Sequence, residues 1–340
     1  MCGIYGLITD EYKDFKTIIK NVKASSNHRG PDSLGHMLIK VPETNTHILL
    51  VHTRLHINGD SKKQPISNST GTILLIINGE IFNWHDLEKE LNFKCTQSDC
   101  EIIIPLYEKY KDTPNIIFEK ISGQFSFILI DLEIGEILVG RDHIGITPLY
   151  YATQCKTNNW GYTFNTTIFS SELKTLIDSD MNIAYNNDKL SIISPRSYYK
   201  GTFDDSLKFN ETDLKSYISL NDYSSLNCKY ILEENIQTIH NKINELLTES
   251  VRSQLIDMLS NKNGDYGVLL SGGLDSSLIA GITRKLLPDK RIQSFSIGTL
   301  GSPDLAKAQI VANYLETEHH SVLFTPQEGI KVLPDVTWVD

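Results

Sequence analysis

Met1-Cys2-Gly3-Ile4-Tyr5-Gly6-Leu7-Ile8 opens the chain, and its first three residues decide how the remainder is read. Once an initiator methionine is removed, a thiol and a free α-amine share one carbon of Cys2. The thiolate is the reactive form of cysteine, and an adjacent amine takes its proton directly or through a water. A plainer alternative is a small residue at a frayed terminus. The residues that follow have to decide between the two. Ile4 to Ile8 reads as a short apolar strand, and Phe15, Ile18, Ile19 and Val22 recur at helical spacing before His28-Arg29-Gly30-Pro31-Asp32 breaks the pattern into a loop.

Composition bounds the answer. The 340 residues point to two domains, each able to bury a core. Hydrophobic residues at 40% and charged residues at 22% are ordinary globular values. No apolar run approaches the roughly 18 residues of a membrane span, and the start lacks the basic flank and long apolar stretch of a signal peptide, so a cytoplasmic protein without a membrane partner is expected. The five cysteines are odd in number and form no C-x-x-C, which favours neither a disulfide framework nor a zinc site. A net charge of −10 argues against nucleic acid as a partner.

Ile48 to Val51 and Ile73 to Ile77 are apolar at nearly every position, the pattern of central strands covered on both faces. The second runs into Asn78-Gly79-Glu80-Ile81-Phe82-Asn83-Trp84, read as a turn before a helix. The Asn-Gly pair is a turn signal. It also offers a side-chain amide and an unhindered backbone N–H to an oxyanion. Ser98-Asp99-Cys100-Glu101 precedes a helix with Ile103, Ile104 and Tyr107 on its apolar side, so Ser98 or Asp99 is a candidate N-cap. Phe125 to Ile130 and Ile137 to Val139 form a strand pair. Arg141-Asp142 through Tyr150-Tyr151 leads into a further strand, and Ser170-Ser171-Glu172 caps a helix.

Taken together and in order, these motifs, with Arg54-Leu55, resemble the glutaminase domain of class II glutamine amidotransferases over residues 1 to about 175. Joint occurrence carries the resemblance, since each motif alone is weak. It implies a four-layer α/β/β/α N-terminal-nucleophile sandwich with Cys2 as nucleophile. It also places the glutamine α-carboxylate on Arg54, whose planar fork suits bidentate binding. The α-ammonium falls to Asp99, and the oxyanion hole to the Asn78 amide and the Gly79 N–H. Glu80 is grouped with the glutamine site without a role of its own.

Residues 176 to 230 are rich in Asn, Asp, Ser and Tyr and poor in periodicity, which reads as irregular structure. Domains are expected at 2–205 and 231–340, with a linker at 206–230. Tyr198 and Tyr199 are assigned to packing between domains. The second half opens with an apolar stripe from about 232 to 259, a core-facing helix ended by Asn263-Gly264-Asp265. Gly267 to Leu270 is then a buried strand entering Ser271-Gly272-Gly273-Leu274-Asp275-Ser276-Ser277, with a helix after it. Strand, glycine-serine loop and helix make a phosphate-binding layout, and Asp275 is a candidate Mg²⁺ ligand. The G-x-x-x-x-G-K-[ST] of a Walker loop is absent. His319 and His320 read as the start of a strand.

Ser271 to Ser277 is similar to the pyrophosphate loop of ATP pyrophosphatases, which make acyl-adenylates. With Ser302-Pro303-Asp304 and His319-His320 following, the second half resembles the synthetase domain of asparagine synthetases. That resemblance implies an α/β nucleotide-binding domain on a parallel sheet. Pyrophosphate contacts fall on Ser271, Gly272, Gly273, Asp275 and Ser276, and adenine or ribose contacts on Leu270 and Ile297. The implied reaction is glutamine-dependent asparagine synthesis from glutamine, aspartate and ATP with Mg²⁺, with a homodimer left open. The family's second nucleotide loop, Ser-Gly-Glu-Gly-Ser-Asp-Glu, does not occur in the 340 residues, so an incomplete synthetase domain is expected. Alternatives are another ATP-dependent amidotransferase or β-lactam-synthetase-like enzyme, and a glutaminase-only or non-catalytic relative.

Overall fold

A computed structural model describes residues 1–56, 63–96, 98–178, 189–218, 236–260 and 266–339. The chain separates into two units, Met1–Ser225 and Leu226–Asp340. The Asn263-Gly264-Asp265 stop, Cys228 and the start of the expected helix before 236 (residues 232–235) lie outside the described residues.

The first unit holds two six-stranded antiparallel sheets. One runs β10 (Lys189–Ile192), β8 (Tyr150–Thr157), β9 (Thr163–Ser170), β1 (Gly3–Thr9), β3 (His47–Arg54), β2 (Ser33–Lys40). The other runs β12 (Lys215–Ser216), β11 (Ser197–Thr202), β7 (Glu136–Arg141), β6 (Gly123–Asp131), β5 (Ile73–Ile81), β4 (Ile66–Ser67). Strand alternation sorts the side chains into three cores. Ile4, Ile8, Ile48 and Leu50 meet Leu74, Ile76, Ile128 and Ile130 between the sheets. Tyr5, Leu7, Leu49 and Val51 face the other way, onto the helices Phe15–Ser26 and Leu173–Asp178 through Phe15, Ile18, Val22 and Leu176. Leu75, Ile77, Phe125 and Phe127 cover the opposite flank with Leu87, Ile103, Tyr107 and Phe118 from the helices Trp84–Leu91, Ile103–Tyr110 and Asn115–Lys120. The layers are therefore α/β/β/α, and the near-continuous apolar runs of β3 and β5 follow from burial on both faces.

Several expectations are corrected. Asn78-Gly79 is no turn: β5 runs on to Ile81, and both residues pair with β6, Asn78 with Ser126 and Gly79 with Phe125. Residues 33–40, expected as loop, form the edge strand β2, whose largely exposed side chains show no alternation. The irregular reading of 176–230 fails over 189–216, where β10, β11 and β12 extend the two sheets. Tyr198 and Tyr199 are core residues of the first unit. Tyr198 stacks on Phe118, and Tyr199 points to the opposite face, edge-on to Phe209. Two consecutive aromatics serving two cores are what a central strand demands, and their polar hydroxyls and neighbours disguise it.

The second unit is a parallel sheet of order β13 (Tyr266–Leu269), β14 (Ile292–Gly298), β15 (Glu318–Leu323), with crossover helices Leu274–Leu286 and Pro303–Tyr314. The long helix Ile236–Ser260 corrects the core-facing reading. Among the described side chains of its apolar stripe, Val251 is buried and Ile239, Leu247 and Leu255 are partly so, whereas Ile236, Ile243 and Leu246 are exposed.

Candidate active site

Cys2 lies at the entry of β1, where small residues let chains approach. A Cβ on Gly3 would fall 2.5 Å from Thr53 Oγ1 of β3, and one on Gly30 would fall 2.2 Å from the Thr53 carbonyl carbon. The Cys2 Sγ accepts from the Leu55 N–H at 3.4 Å, immediately past β3. Burial pushes the Cys2 thiol above its ordinary value. The Leu55 bond, the terminal amine and Arg54 oppose that rise, while Glu80 adds to it.

Arg54 closes β3, and its carbonyl accepts from Asp32 N–H at 3.0 Å. Asp32 in turn accepts from His56 N–H at 2.7 Å, so the His28–Asp32 motif brackets the arginine. Arg54 also lines a cavity of about 500 Å³ together with Gln64, Ile66, Ser98 and Glu101. Asp99 sits on a short 3₁₀ turn capped by Ser98. Its Oδ2 accepts from Ile81 N–H at 2.6 Å, its Oδ1 from the Ser98 hydroxyl at 3.0 Å. Cys100, fully buried, is pushed well up by desolvation first, then by Asp99, Glu80 and Cys2. The structure thus gathers Cys2, Arg54, Glu80 and Asp99 into one electrostatic neighbourhood.

β5 carries the two residues expected to act as donors, Asn78 and Gly79. Asn78 follows Leu74 and Ile76 into the layer between the sheets. It is 2% exposed, and among the described residues its Nδ2 has no hydrogen-bond partner. Buried donors are rarely left so. Gly79 faces Phe125, whose N–H and C=O both turn to Asp142. The pair is therefore non-hydrogen-bonded, and the Gly79 N–H points away from β6. It shares that edge with the N–H groups of Ile77, held by Gln64 at 2.7 Å, and Ile81, held by Asp99. A Cβ at 79 would meet Gln124 O at 2.4 Å, so the close approach requires glycine.

Arg29 carried no role in the sequence reading, yet its Nε donates to the Cys2 carbonyl at 3.2 Å. Its place in the His28–Asp32 motif was the one available signal. Arg141-Asp142 proves to be scaffold. The Asp142 carboxylate accepts from the N–H groups of Phe125, Ile144, Gly145, Ile146 and Thr147, and Arg141 ties down the carbonyls of Gly145, Thr147 and Ile193.

In the second unit, the loop leaves β13 toward the helix Leu274–Leu286, capped by Gly273 with no side-chain cap bond. Gly272 has φ +77°, and a Cβ there would meet the Ala308 nitrogen at 2.5 Å. Ser276 Oγ reaches Ser271 Oγ at 2.9 Å, and Ser277 Oγ donates to the Gly273 carbonyl at 2.6 Å. The carboxylate of Asp275 is exposed in the first helical turn. One such group suits Mg²⁺ delivered by phosphates rather than an all-protein cage. Ile297 is 69% exposed near the C-terminal end of β14. Leu270 is instead core, packed against Ala280, Ala308 and Ala312, with its N–H given to Phe295 O at 2.8 Å. Its side chain is thereby withdrawn from ligand contact. Among the described residues, no group of three or more His, Cys, Asp and Glu is placed to hold a metal by itself.

A family model described as a glutamine amidotransferase domain matches residues 1–204, and one described as asparagine synthase matches residues 242–340. Similar curated proteins include asparagine synthetase B (glutamine-hydrolysing) of Escherichia coli, 32% identical over 99% of this chain and 57% of its own length. A probable glutamine-hydrolysing asparagine synthetase of Schizosaccharomyces pombe is 33% identical, over 99% and 58%, and one of Dictyostelium discoideum 33%, over 99% and 57%. The chain thus spans somewhat over half the length of these relatives. Through residues 1–204 the chain belongs to the glutamine amidotransferase domain family.

Proposed function

We propose that this chain takes nitrogen from glutamine at Cys2 for ATP-dependent synthesis of asparagine from aspartate. The observation that carries the reading is the Asn78 Nδ2: buried, without a partner among the described residues, and one residue from an N–H that β6 does not use. A structural asparagine would be satisfied by its surroundings, whereas a preorganised oxyanion donor waits for charge to develop.

With Met1 removed, the Cys2 amine accepts the thiol proton as sulfur attacks the carboxamide carbon. The oxygen of the tetrahedral intermediate is held by Asn78 Nδ2 and the Gly79 N–H. Collapse returns the proton to the leaving nitrogen, ammonia departs, and water then cleaves the γ-glutamyl thioester to glutamate and free Cys2. Arg54 holds the substrate carboxylate. Asp99 takes the ammonium, its carboxylate already aimed by Ile81 and Ser98. Glu80 raises the local negative potential. In the second unit Ser271, Gly272, Gly273 and Ser276 cradle pyrophosphate, Asp275 meets Mg²⁺, and Ile297 and the Leu270 backbone border the nucleotide. Activation of aspartate as its adenylate leaves a carbonyl that ammonia attacks, releasing AMP. Cytoplasmic location belongs to the same reading; among the described residues, no helix is long and apolar enough to cross a membrane.

The test is to follow glutamate, asparagine and pyrophosphate from glutamine, aspartate, ATP and Mg²⁺, with Cys2→Ser alongside. Glutamate release that depends on Cys2 supports the first half. Asparagine formation that depends on ATP and stops in Cys2→Ser, yet returns with added ammonia, supports the second.

A further inference from the structure

We propose that Glu172 and Arg29 are positioning residues for Cys2, an inference that rests on the reading of Cys2 as nucleophile. Nucleophile and base would share one Cα in this site, so their aim depends on how the backbone of Cys2 is held. The thiol side is held by Leu55. The carbonyl side is held by Arg29 Nε at 3.2 Å, which fixes rotation about the Cα–C bond and hence the direction of the α-carbon substituents.

What aims Arg29 is Glu172, 143 residues further along the chain. Arg29 Nη1 donates to Glu172 Oε1 at 2.6 Å. The guanidinium is thereby stretched between two acceptors, and its Nη2 is left buried with no partner among the described residues. A donor buried without a partner is costly, so this arginine is not placed to satisfy its own hydrogen bonds. Its geometry answers to the carbonyl at one end and the carboxylate at the other.

Glu172 is itself delivered with the strand that Cys2 leads. Ser171 N–H donates to Ile4 O at 3.0 Å and Ser171 Oγ accepts from Ile4 N–H at 3.1 Å, while Glu172 N–H bonds Ser170 Oγ at 3.1 Å. Glu172 is 4% exposed, and its carboxylate faces three bases: Arg29, His28 Nε2 at 3.3 Å and Lys174 Nζ at 3.5 Å. One buried anion among them holds Arg29 in place, since removing it would leave Arg29 and Lys174 to repel one another.

The experiment uses the full chain with Arg29→Lys and Glu172→Gln. Glutamine hydrolysis, thermal melting and the pH dependence of Cys2 alkylation by iodoacetamide, read on the Cys2 peptide by mass spectrometry, are measured for each. Lysine keeps the charge but cannot reach both acceptors through one planar fork. Misplacement of a reacting group by about 1 Å costs on the order of 100-fold, so kcat should fall about 10- to 100-fold in Arg29→Lys with KM within about two-fold. Glu172→Gln should move kcat the same way by less, since an acceptor oxygen remains. The alkylation profile should shift along the pH axis in both. A kcat within two-fold of the parent in either folded variant overturns the proposal. So does an unshifted alkylation profile beside a lower melting temperature, or failure of both variants to fold, since each assigns the cluster to stability alone. An unmodified chain that hydrolyses no glutamine would strike the reading of Cys2 instead, because the alkylation profile is read without turnover.

Discussion

Replacing Asn78 by alanine separates a catalytic amide from a structural one, because the two make opposite demands on stability. The Asn78 Nδ2 is buried and makes no hydrogen bond among the described residues. Its removal breaks no bond of the Nδ2, and a buried donor left unmade costs about 1–3 kcal/mol, so relief of that term offsets lost packing. The net change in stability should lie within about 1 kcal/mol, or roughly 2–4 °C in melting temperature for a domain of about 200 residues. Turnover should respond quite differently. Loss of one oxyanion donor typically lowers kcat about 10²- to 10³-fold, some 2.7–4 kcal/mol. KM for glutamine should change little, since the donor acts mainly on charge that develops after binding. The assay is steady-state glutamate release with parallel calorimetry. A kcat within about three-fold of the parent, or a melting temperature lower by 8 °C or more, would refute the reasoning and make Asn78 part of the core.

Gly79→Ala should do the reverse on stability. A Cβ at 2.4 Å from Gln124 O and 2.7 Å from Phe125 Cβ forces β5 and β6 apart, costing about 1–3 kcal/mol, visible in denaturant titration, with loss of glutaminase activity. Burial pushes the His52 imidazole down to about 3, so the folded state holds it neutral while the unfolded chain protonates near 6.5. The unfolded state therefore binds the extra proton, and stability contributed above pH 6.5 is lost as pH falls toward 3. Denaturation at pH 7 and pH 5 should show a smaller difference in His52→Gln than in the parent. Gly272→Ala meets both a φ of +77° and the Ala308 nitrogen. It should abolish retention of Mg-ATP by equilibrium dialysis while leaving glutamine hydrolysis unchanged.

Local chemistry was legible in the sequence and long-range chemistry was not. The N-terminal cysteine, the Ser271–Ser277 loop and the apolar runs of β3 and β5 announce themselves because each is contiguous. Asn78-Gly79 misled, since the pair is a common turn signal and only the neighbouring strand shows that glycine is needed for close approach. β2, β10 and β12 escaped because edge strands with exposed or polar positions lack alternation, and β11 escaped because Tyr198-Tyr199 serve two cores at once. The Arg29–Glu172 contact was invisible for another reason: no local periodicity links residues 143 positions apart. Leu270 borders the phosphate loop while its side chain belongs to the core, a division between backbone and side chain that the sequence pattern does not show.

The central claim, that Cys2 is the nucleophile of glutamine hydrolysis, is tested most directly by trapping its covalent intermediate. The chain is mixed with isotopically labelled glutamine, quenched in acid within the first turnover and digested, and the N-terminal peptide is weighed. The account predicts a labelled γ-glutamyl thioester on Cys2, on a peptide lacking Met1, that decays at the rate of glutamate release and is absent in Cys2→Ala. Label on another residue, or glutamate formed at the parent rate by Cys2→Ala, would contradict it.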